Sequence, residues 1–307
     1  MTFQELTDEL MRLYPQGKYA EALESIEQNA DLFPEQAARI TFWRMCLLSL
    51  CGRADDVISV FRQGLDAGLW WSESLFVDTD LDHVRNLPVF KQLAAESNKR
   101  AMEMQSQIQP ARTLLIPDDT ARELPLFIGL HGRNGHKDSN VEYWEIARQH
   151  GWLVLSPQSK QAIFPGSYCW EDNEQGLADI LFHLGEVKNI YQVDPNRIII
   201  AGFSQGSGMA IYAALSGNVE ARGFIGVGTF MVEPDSLIPL ASQQPALRGY
   251  FITGEKDQTL GKARAIQNIL REHNIPFEEE VHPDLGHEFP LDFEGSFEKA
   301  INFIFTE

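Results

Sequence analysis

From about Arg112 onward, short β-rich runs take turns with helical ones, and this alternation limits the possible folds more than any other feature of the chain. ARTLLIP, LPLFIGLHG, WLVLSPQ, RIIIAGF, ARGFIGVG, LRGYFITG and PFEEEVHP read as strands. VEYWEIARQHG, NEQGLADILFHLGEVKNIY, QGSGMAIYAALSG, GKARAIQNILREHN and FEGSFEKAINFIF read as helices. Several of the strands are unbroken apolar runs, the composition a strand needs when both of its faces are covered. Strand–helix alternation of this kind predicts an α/β fold with a doubly wound, mostly parallel sheet. Ligand chemistry in such sheets gathers at the carboxyl ends of the strands.

The first hundred residues follow a different pattern. They are helical in period with few strand candidates, and the change falls in the polar stretch KRAMEMQSQIQPAR. The expected organisation is an all-α domain over 1–105 and an α/β domain over 106–307. Within the first, YPQGKYAEALESIEQNADLFP and LCGRADDVISVFRQGLDAG echo each other: Gly17 and Gly52 are 35 positions apart, each ending one helix before an amphipathic one begins. That spacing is near the roughly 34-residue period of helical hairpin repeats, and the segment resembles tetratricopeptide repeats. The resemblance implies a peptide-binding groove, or else a helical cap for docking or self-association. Two repeats bury little by themselves. GLWWSESLFVDTDLDHVRNLPVFKQLAAE reads as a loop and one more helix that closes the array.

Four strand ends carry candidate chemistry. GFSQG, Gly202 to Gly206, fits G-x-S-x-G with a strand before it and a helix after it. A serine on such a tight turn stands clear of the sheet, so Ser204 is the candidate nucleophile. The N–H of Gln205, at the helix start, can face a developing oxyanion. LHGRNGH follows PLFIG, and the N–H of Arg133 is the candidate second donor. His131 and His136 are possible bases there, with His131 read as a loop-fixing residue. TGEKD offers Asp257, further into its loop than Glu255, to orient an imidazole; an aspartate in a turn is the plainer alternative. PDLGHEFP offers His287, with His282 and Asp284 as fallbacks. The chain order Ser204, Asp257, His287 is the order of acyl-transfer triads in α/β-hydrolases.

From about residue 112 to 307 the chain therefore resembles the α/β-hydrolases, and within them the phospholipase/carboxylesterase group that includes acyl-protein thioesterases, with dienelactone hydrolases as relatives. The stretches that carry this are LHGRNG, CWED (Cys169 to Asp172), VDPNRIIIAGFSQGSGMA, TGEKD and LGHEFP. The resemblance implies a serine hydrolase acting on a small-molecule ester or thioester without cofactor or metal. Dienelactone hydrolases use cysteine at the elbow, so the serine argues against that activity. Two departures stand out. Ser207 replaces the last glycine of GFSQGG, which should change packing behind the elbow more than chemistry. Arg133 replaces an apolar residue after HG, and its side chain is expected to bias the pocket toward polar or anionic acyl groups. FPGSYCWEDN is expected to form a lid or wall in which Trp170 and Tyr168 offer apolar contact to substrate. Two rivals remain: a serine peptidase of the same fold, and a helical-repeat scaffold carrying an inert hydrolase platform.

The net charge of −19 disfavours nucleic acid and anionic membranes as partners and accounts for solubility. Cys46, Cys51 and Cys169 form no CxxC pair, which speaks against a disulfide framework or zinc site. The amphipathic, acidic start lacks the basic and apolar regions of a signal peptide, and no apolar stretch approaches a membrane span, so a cytoplasmic protein is expected.

Overall fold

The structure, a computed structural model, describes residues 1–242 and 246–306. Two compact units emerge: Met1–Ile108 with Ala162–Gly166, and Gln109–Gln161 with Ser167–Glu307.

The first unit is built on helices α1 (Phe3–Leu13), α2 (Tyr19–Asn29), α3 (Ala37–Leu50), α4 (Ala54–Asp66) and α5 (Pro88–Gln105). Thr2 and Glu5 cap α1 reciprocally, each side chain accepting the other's backbone N–H. Gly17 and Gly52 adopt left-handed φ values of 70° and 72° at the reversals into α2 and α4. A Cβ disfavours that conformation, so the two glycines picked out by their spacing are the turns of two helical hairpins. Each of the first four helices packs on the next in sequence, as a helical array requires. The α5 helix starts on Pro88, where a missing N–H costs nothing.

The rings of Phe61, Trp71, Phe76 and Phe90 gather in this unit's core, with centroids 5.3–5.7 Å apart. The tandem tryptophans thus belong to the interior rather than to a loop surface. Trp71 is fully buried, its ring N–H donating to the Ala38 carbonyl at 3.0 Å and its backbone N–H to Ser97 Oγ at 2.7 Å. Trp71→Ala removes the ring and leaves a cavity. The expected cost is roughly 3–5 kcal/mol of stability, measurable as a shift in the denaturant midpoint of this unit.

The second unit holds the sheet. The strands of this sheet are β1 (Arg112–Leu115), β2 (Leu124–Leu130), β3 (Leu153–Pro157), β6 (Val193–Phe203), β7 (Gly223–Val227), β8 (Arg248–Gly254) and β9 (Phe277–His282); β4 (Gln161–Phe164) and β5 (Ser167–Cys169) pair with each other apart from it. Among the described residues the order is β1-β3-β2-β6-β7-β8-β9, with β1 antiparallel to β3 and all other neighbours parallel. The helices are α6 (Val141–Gln149), α7 (Asn173–Ile190), α8 (Gln205–Leu215), α9 (Ile238–Ala241), α10 (Leu260–Glu272) and α11 (Phe293–Phe305).

The unbroken apolar runs have a direct cause. Leu126, Ile128 and Leu130 of β2, with Ile198 and Ile200 of β6, enter a core with Ile180, Ile211 and Ile266 of α7, α8 and α10. Phe127, Ile199 and Ala201, one position over, enter a second core with Trp144 of α6 and Phe297 of α11. Alternate residues of a strand point to opposite faces, and here both faces are covered. Burying each such side chain contributes about 1.5–3 kcal/mol. No helix among the described residues is long and apolar enough to cross a membrane.

Candidate active site

Strand β6 ends at Phe203 and helix α8 begins at Gln205, so Ser204 alone makes the turn. Its backbone sits at φ 53° and ψ −122°, a conformation that costs a residue with a Cβ on the order of 1–3 kcal/mol. Surrounding bonds hold it there. The Ser204 N–H donates to the Val227 carbonyl at 2.9 Å, and its carbonyl accepts from the Phe230 N–H at 3.2 Å. The flanking glycines are required by contact. A Cβ on Gly202 would lie 2.2 Å from the Gly206 carbonyl oxygen, and one on Gly206 would lie 2.2 Å from that of His131. Ser207 is fully buried and its hydroxyl meets that of Thr229 at 2.7 Å. Gly226 makes the room, since a Cβ there would strike both hydroxyls. This departure from GFSQGG is therefore absorbed by packing behind the elbow.

Asp257 and His287 arrive on the loops after β8 and β9. His287 Nε2 lies 2.8 Å from Ser204 Oγ, and its Nδ1 lies 3.0 and 2.9 Å from the two carboxylate oxygens of Asp257. The two loops are tied by backbone bonds: Glu255 N–H to the His282 carbonyl at 3.0 Å, and Lys256 N–H to the Leu285 carbonyl at 2.9 Å. Asp257 is buried, and its Oδ1 also accepts the Thr259 N–H and hydroxyl, both at 2.7 Å. The imidazole rests on the Phe203 ring, with centroids 4.9 Å apart. Behind the pair lies Gly228 at φ +52°, where a Cβ would come within 3.1 Å of His287 Nδ1 and 3.2 Å of Asp257 Oδ2. Neither Thr259 nor Gly228 was anticipated; GVGTF and KDQT carry no spacing that points to a histidine so much later in the chain.

The alternatives are placed elsewhere. Glu255 is exposed, Asp284 pairs with Lys256 at 2.6 Å, and His282 faces Glu280 at 3.5 Å. His136 is exposed and accepts from the Asp138 N–H at 3.2 Å. Among the described residues, the groupings with metal-ligand spacing are Cys46–Asp78–Asp80 and His150–Glu294–Glu298, and neither contains a residue of the Ser204 constellation.

Beside the elbow runs the loop after β2. A Cβ on Gly132 would lie 3.5 Å from that of Ser204, so this loop passes close beside the nucleophile. Gly135 N–H closes the turn onto the Gly132 carbonyl at 3.1 Å, with Asn134 at φ 66°. Gln205 opens α8, and N–H groups of a first turn have no acceptor within their own helix. The Arg133 side chain, expected to bias the pocket toward polar or anionic acyl groups, is held in an ion pair. Glu171 Oε1 accepts from its Nη2 at 2.7 Å and from its Nε at 3.2 Å, which compensates the guanidinium. Trp170 also departs from expectation. It is 3% exposed, its ring N–H donates to the His131 carbonyl at 2.8 Å, and its backbone N–H donates to Gln205 Oε1 at 2.9 Å. It supports the elbow from within rather than presenting a surface to substrate. Tyr168 is half-buried, its N–H donating to the Gly135 carbonyl at 3.0 Å.

His131 is buried, with Nδ1 2.8 Å from the Gly132 carbonyl and Nε2 accepting the Ser159 N–H at 3.3 Å. This arrangement needs a neutral ring protonated on Nδ1. Burial pushes its pKa down from 6.5 to about 4. The folded value lies below the unfolded one, so the stability this ring contributes is full above about 6.5 and is lost as pH falls toward 4. Between pH 7 and pH 5 wild type is expected to lose roughly 2 kcal/mol more than His131→Gln, read from denaturant unfolding at the two pH values.

Residues 2–105 match the family model described as "A/B hydrolase-like, N-terminal domain", and residues 175–306 match that of "Phospholipase/Carboxylesterase". The helical half, to which the resemblance over 112–307 does not extend, thus matches a description that itself refers to hydrolases. A bifunctional acetylxylan esterase/xylanase of Neocallimastix patriciarum is 27% identical over 103 residues, covering 33% of this chain and 15% of that protein. The chain accordingly matches only a small part of this relative's length. Among solved structures, an uncharacterized protein of Bacillus cereus ATCC 10987 superposes with a TM-score of 0.56 at 24% identity, covering 99% of both chains. A ferulic acid esterase superposes with a TM-score of 0.53 at 16% identity, over 64% of this chain and 91% of its own. At these identities the likeness is one of fold.

Proposed function

We propose that this chain, whose second unit is an α/β-hydrolase domain of the phospholipase/carboxylesterase group, cleaves a carboxylic ester or thioester through an acyl-enzyme on Ser204. The observation that carries this reading is the unbroken line from Ser204 Oγ through the His287 ring to the Asp257 carboxylate, with 2.8 Å at one end and 2.9 Å at the other. His287 Nε2 takes the hydroxyl proton as Oγ attacks the carbonyl carbon. Negative charge develops on the carbonyl oxygen, toward the amides of Arg133 and Gln205. The imidazolium then protonates the leaving group, and water repeats the sequence to release the acid. Asp257 keeps the proton on Nδ1 and stabilises the imidazolium. Every step uses this chain's own residues. For the helical unit the roles that fit are docking, self-association or restriction of substrate.

A fluorophosphonate probe tests the reading. Wild type should label and Ser204→Ala should not; failure of wild type to label, or labelling of Ser204→Ala at the wild-type rate, overturns it. A panel of p-nitrophenyl esters of graded acyl length, with a thioester and a dipeptide amide, then identifies the substrate class.

A further inference from the structure

We infer that Glu171 is a positioning residue for the oxyanion hole, acting through the side chain of Arg133; the inference rests on the serine-hydrolase reading above. Residues 168–172 run beside the loop after β2 and grip it at three points. The Tyr168 N–H donates to the Gly135 carbonyl at 3.0 Å, the Trp170 ring N–H to the His131 carbonyl at 2.8 Å, and the Arg133 guanidinium to Glu171 Oε1 at 2.7 and 3.2 Å. A fourth bond reaches the opposite side of the elbow, where Gln205 Oε1 accepts the Trp170 backbone N–H at 2.9 Å. One segment therefore spans both residues whose backbone N–H groups are assigned to the oxyanion.

The segment is itself held from behind. Gln161, buried, accepts the Glu171 and Asp172 N–H groups on Oε1 at 2.8 and 2.7 Å and donates from Nε2 to the Asp172 carbonyl at 2.9 Å. Glu171 is thus fixed in the backbone as well as paired through its side chain. The ion pair is a grip on Arg133 itself, the residue whose amide is assigned to the oxyanion. The turn needs that help: two glycines and an asparagine at φ 66° make it permissive. Both side chains are about two-thirds shielded, at 31% and 33% exposure, so salt screens this pair less than a fully exposed one. The pair gives the Arg133 guanidinium a counter-charge, and its work is to hold its own main chain.

The test uses the full-length enzyme, p-nitrophenyl acetate, and phenylboronic acid as a mimic of the tetrahedral intermediate. Losing one oxyanion donor outright costs about 100- to 1000-fold, so a donor that is present but loosely held should cost less. Glu171→Ala is expected to lower kcat about 10- to 100-fold with KM changed less than threefold. Glu171→Gln, which keeps the shape, should fall in between. Boronate affinity should weaken in step with kcat. Arg133→Met retains the backbone N–H and should match Glu171→Ala, and the double variant should be no worse than either single one. An unchanged kcat in Glu171→Ala overturns the inference, as does a raised KM at constant kcat, or a fall in kcat with boronate binding intact. Wild type that fails to label with fluorophosphonate overturns the serine reading and this inference together. Wild type that labels, with Glu171 variants at full activity, overturns this inference alone.

Discussion

Ser204→Ala is expected to lower kcat/KM for the best ester of the panel by about 10⁵- to 10⁶-fold, and His287→Ala by a similar factor. The double variant should be no slower than either single one. A nucleophile without its base and a base without its nucleophile are equally unable to form the acyl-enzyme, so the two losses do not add. The distance of 2.8 Å between Nε2 and Oγ is what makes them one device. What activity survives comes from binding and from the two amides. A third variant separates chemistry from strain. Ser204→Gly removes the hydroxyl and also the Cβ that makes φ 53°, ψ −122° costly. It should be as inactive as Ser204→Ala yet at least as stable in denaturant, although glycine raises the entropy of the unfolded chain. If Ser204→Gly unfolds earlier than Ser204→Ala, the elbow stores no strain at this residue. If the double variant is slower than both single variants by a further large factor, Ser204 and His287 do not work as a pair.

Much of the sheet was legible because burial on both faces leaves strands no freedom of composition. Ile198 to Ala201 are apolar without a break since Ile198 and Ile200 face one core, while Ile199 and Ala201 face the other. The candidate residues were legible for a related reason. A parallel sheet collects its loops at one end, so a serine, an aspartate and a histidine placed after different strands can be brought together without any being near another in sequence. What escaped reading depends on register and close approach. Gly228 matters because a Cβ at its left-handed position would crowd His287 and Asp257, a relation that no local pattern in the sequence shows. Thr259 became a partner of Asp257 through the turn leading into α10. The charge of Arg133 seemed open because Glu171, 38 residues on, gave no local sign of being its partner. Trp170 seemed a substrate contact because an aromatic ring in a loop reads the same whether it faces outward or into the core. Residues 162–166 group with the helical unit although they lie more than 50 residues beyond its other segment, and a boundary drawn as a single cut cannot show that.

Asp257→Asn should lower kcat/KM by about 10⁴-fold at neutral pH, with little change in fold. The change replaces one oxygen by a nitrogen of nearly the same size, so sterics predict almost nothing and the effect comes from proton placement. Thr259 decides how the new amide must turn. Its N–H and hydroxyl both donate to Oδ1 at 2.7 Å. An asparagine in that position keeps its carbonyl oxygen there, because an NH₂ group would leave the Thr259 N–H facing another donor. The NH₂ then occupies the place of Oδ2, which lies 2.9 Å from His287 Nδ1. A donor at that distance disfavours a proton on Nδ1, which keeps only the carbonyl oxygen at 3.0 Å as an acceptor, and so shifts the ring proton toward Nε2. The protonated Nε2 can donate to Ser204 but can no longer take its proton, and the base is lost with its geometry intact. Thr259→Val removes the hydroxyl bond but leaves the N–H, so it should cost less than about tenfold. Thr259→Val in the Asp257→Asn background should recover little, since the N–H alone still turns the amide. Steady-state kinetics on the four proteins, with denaturant unfolding to confirm equal folding, checks the set. Activity of Asp257→Asn within tenfold of wild type would mean that Asp257 orients nothing essential, and the line from Ser204 through His287 would end at the imidazole.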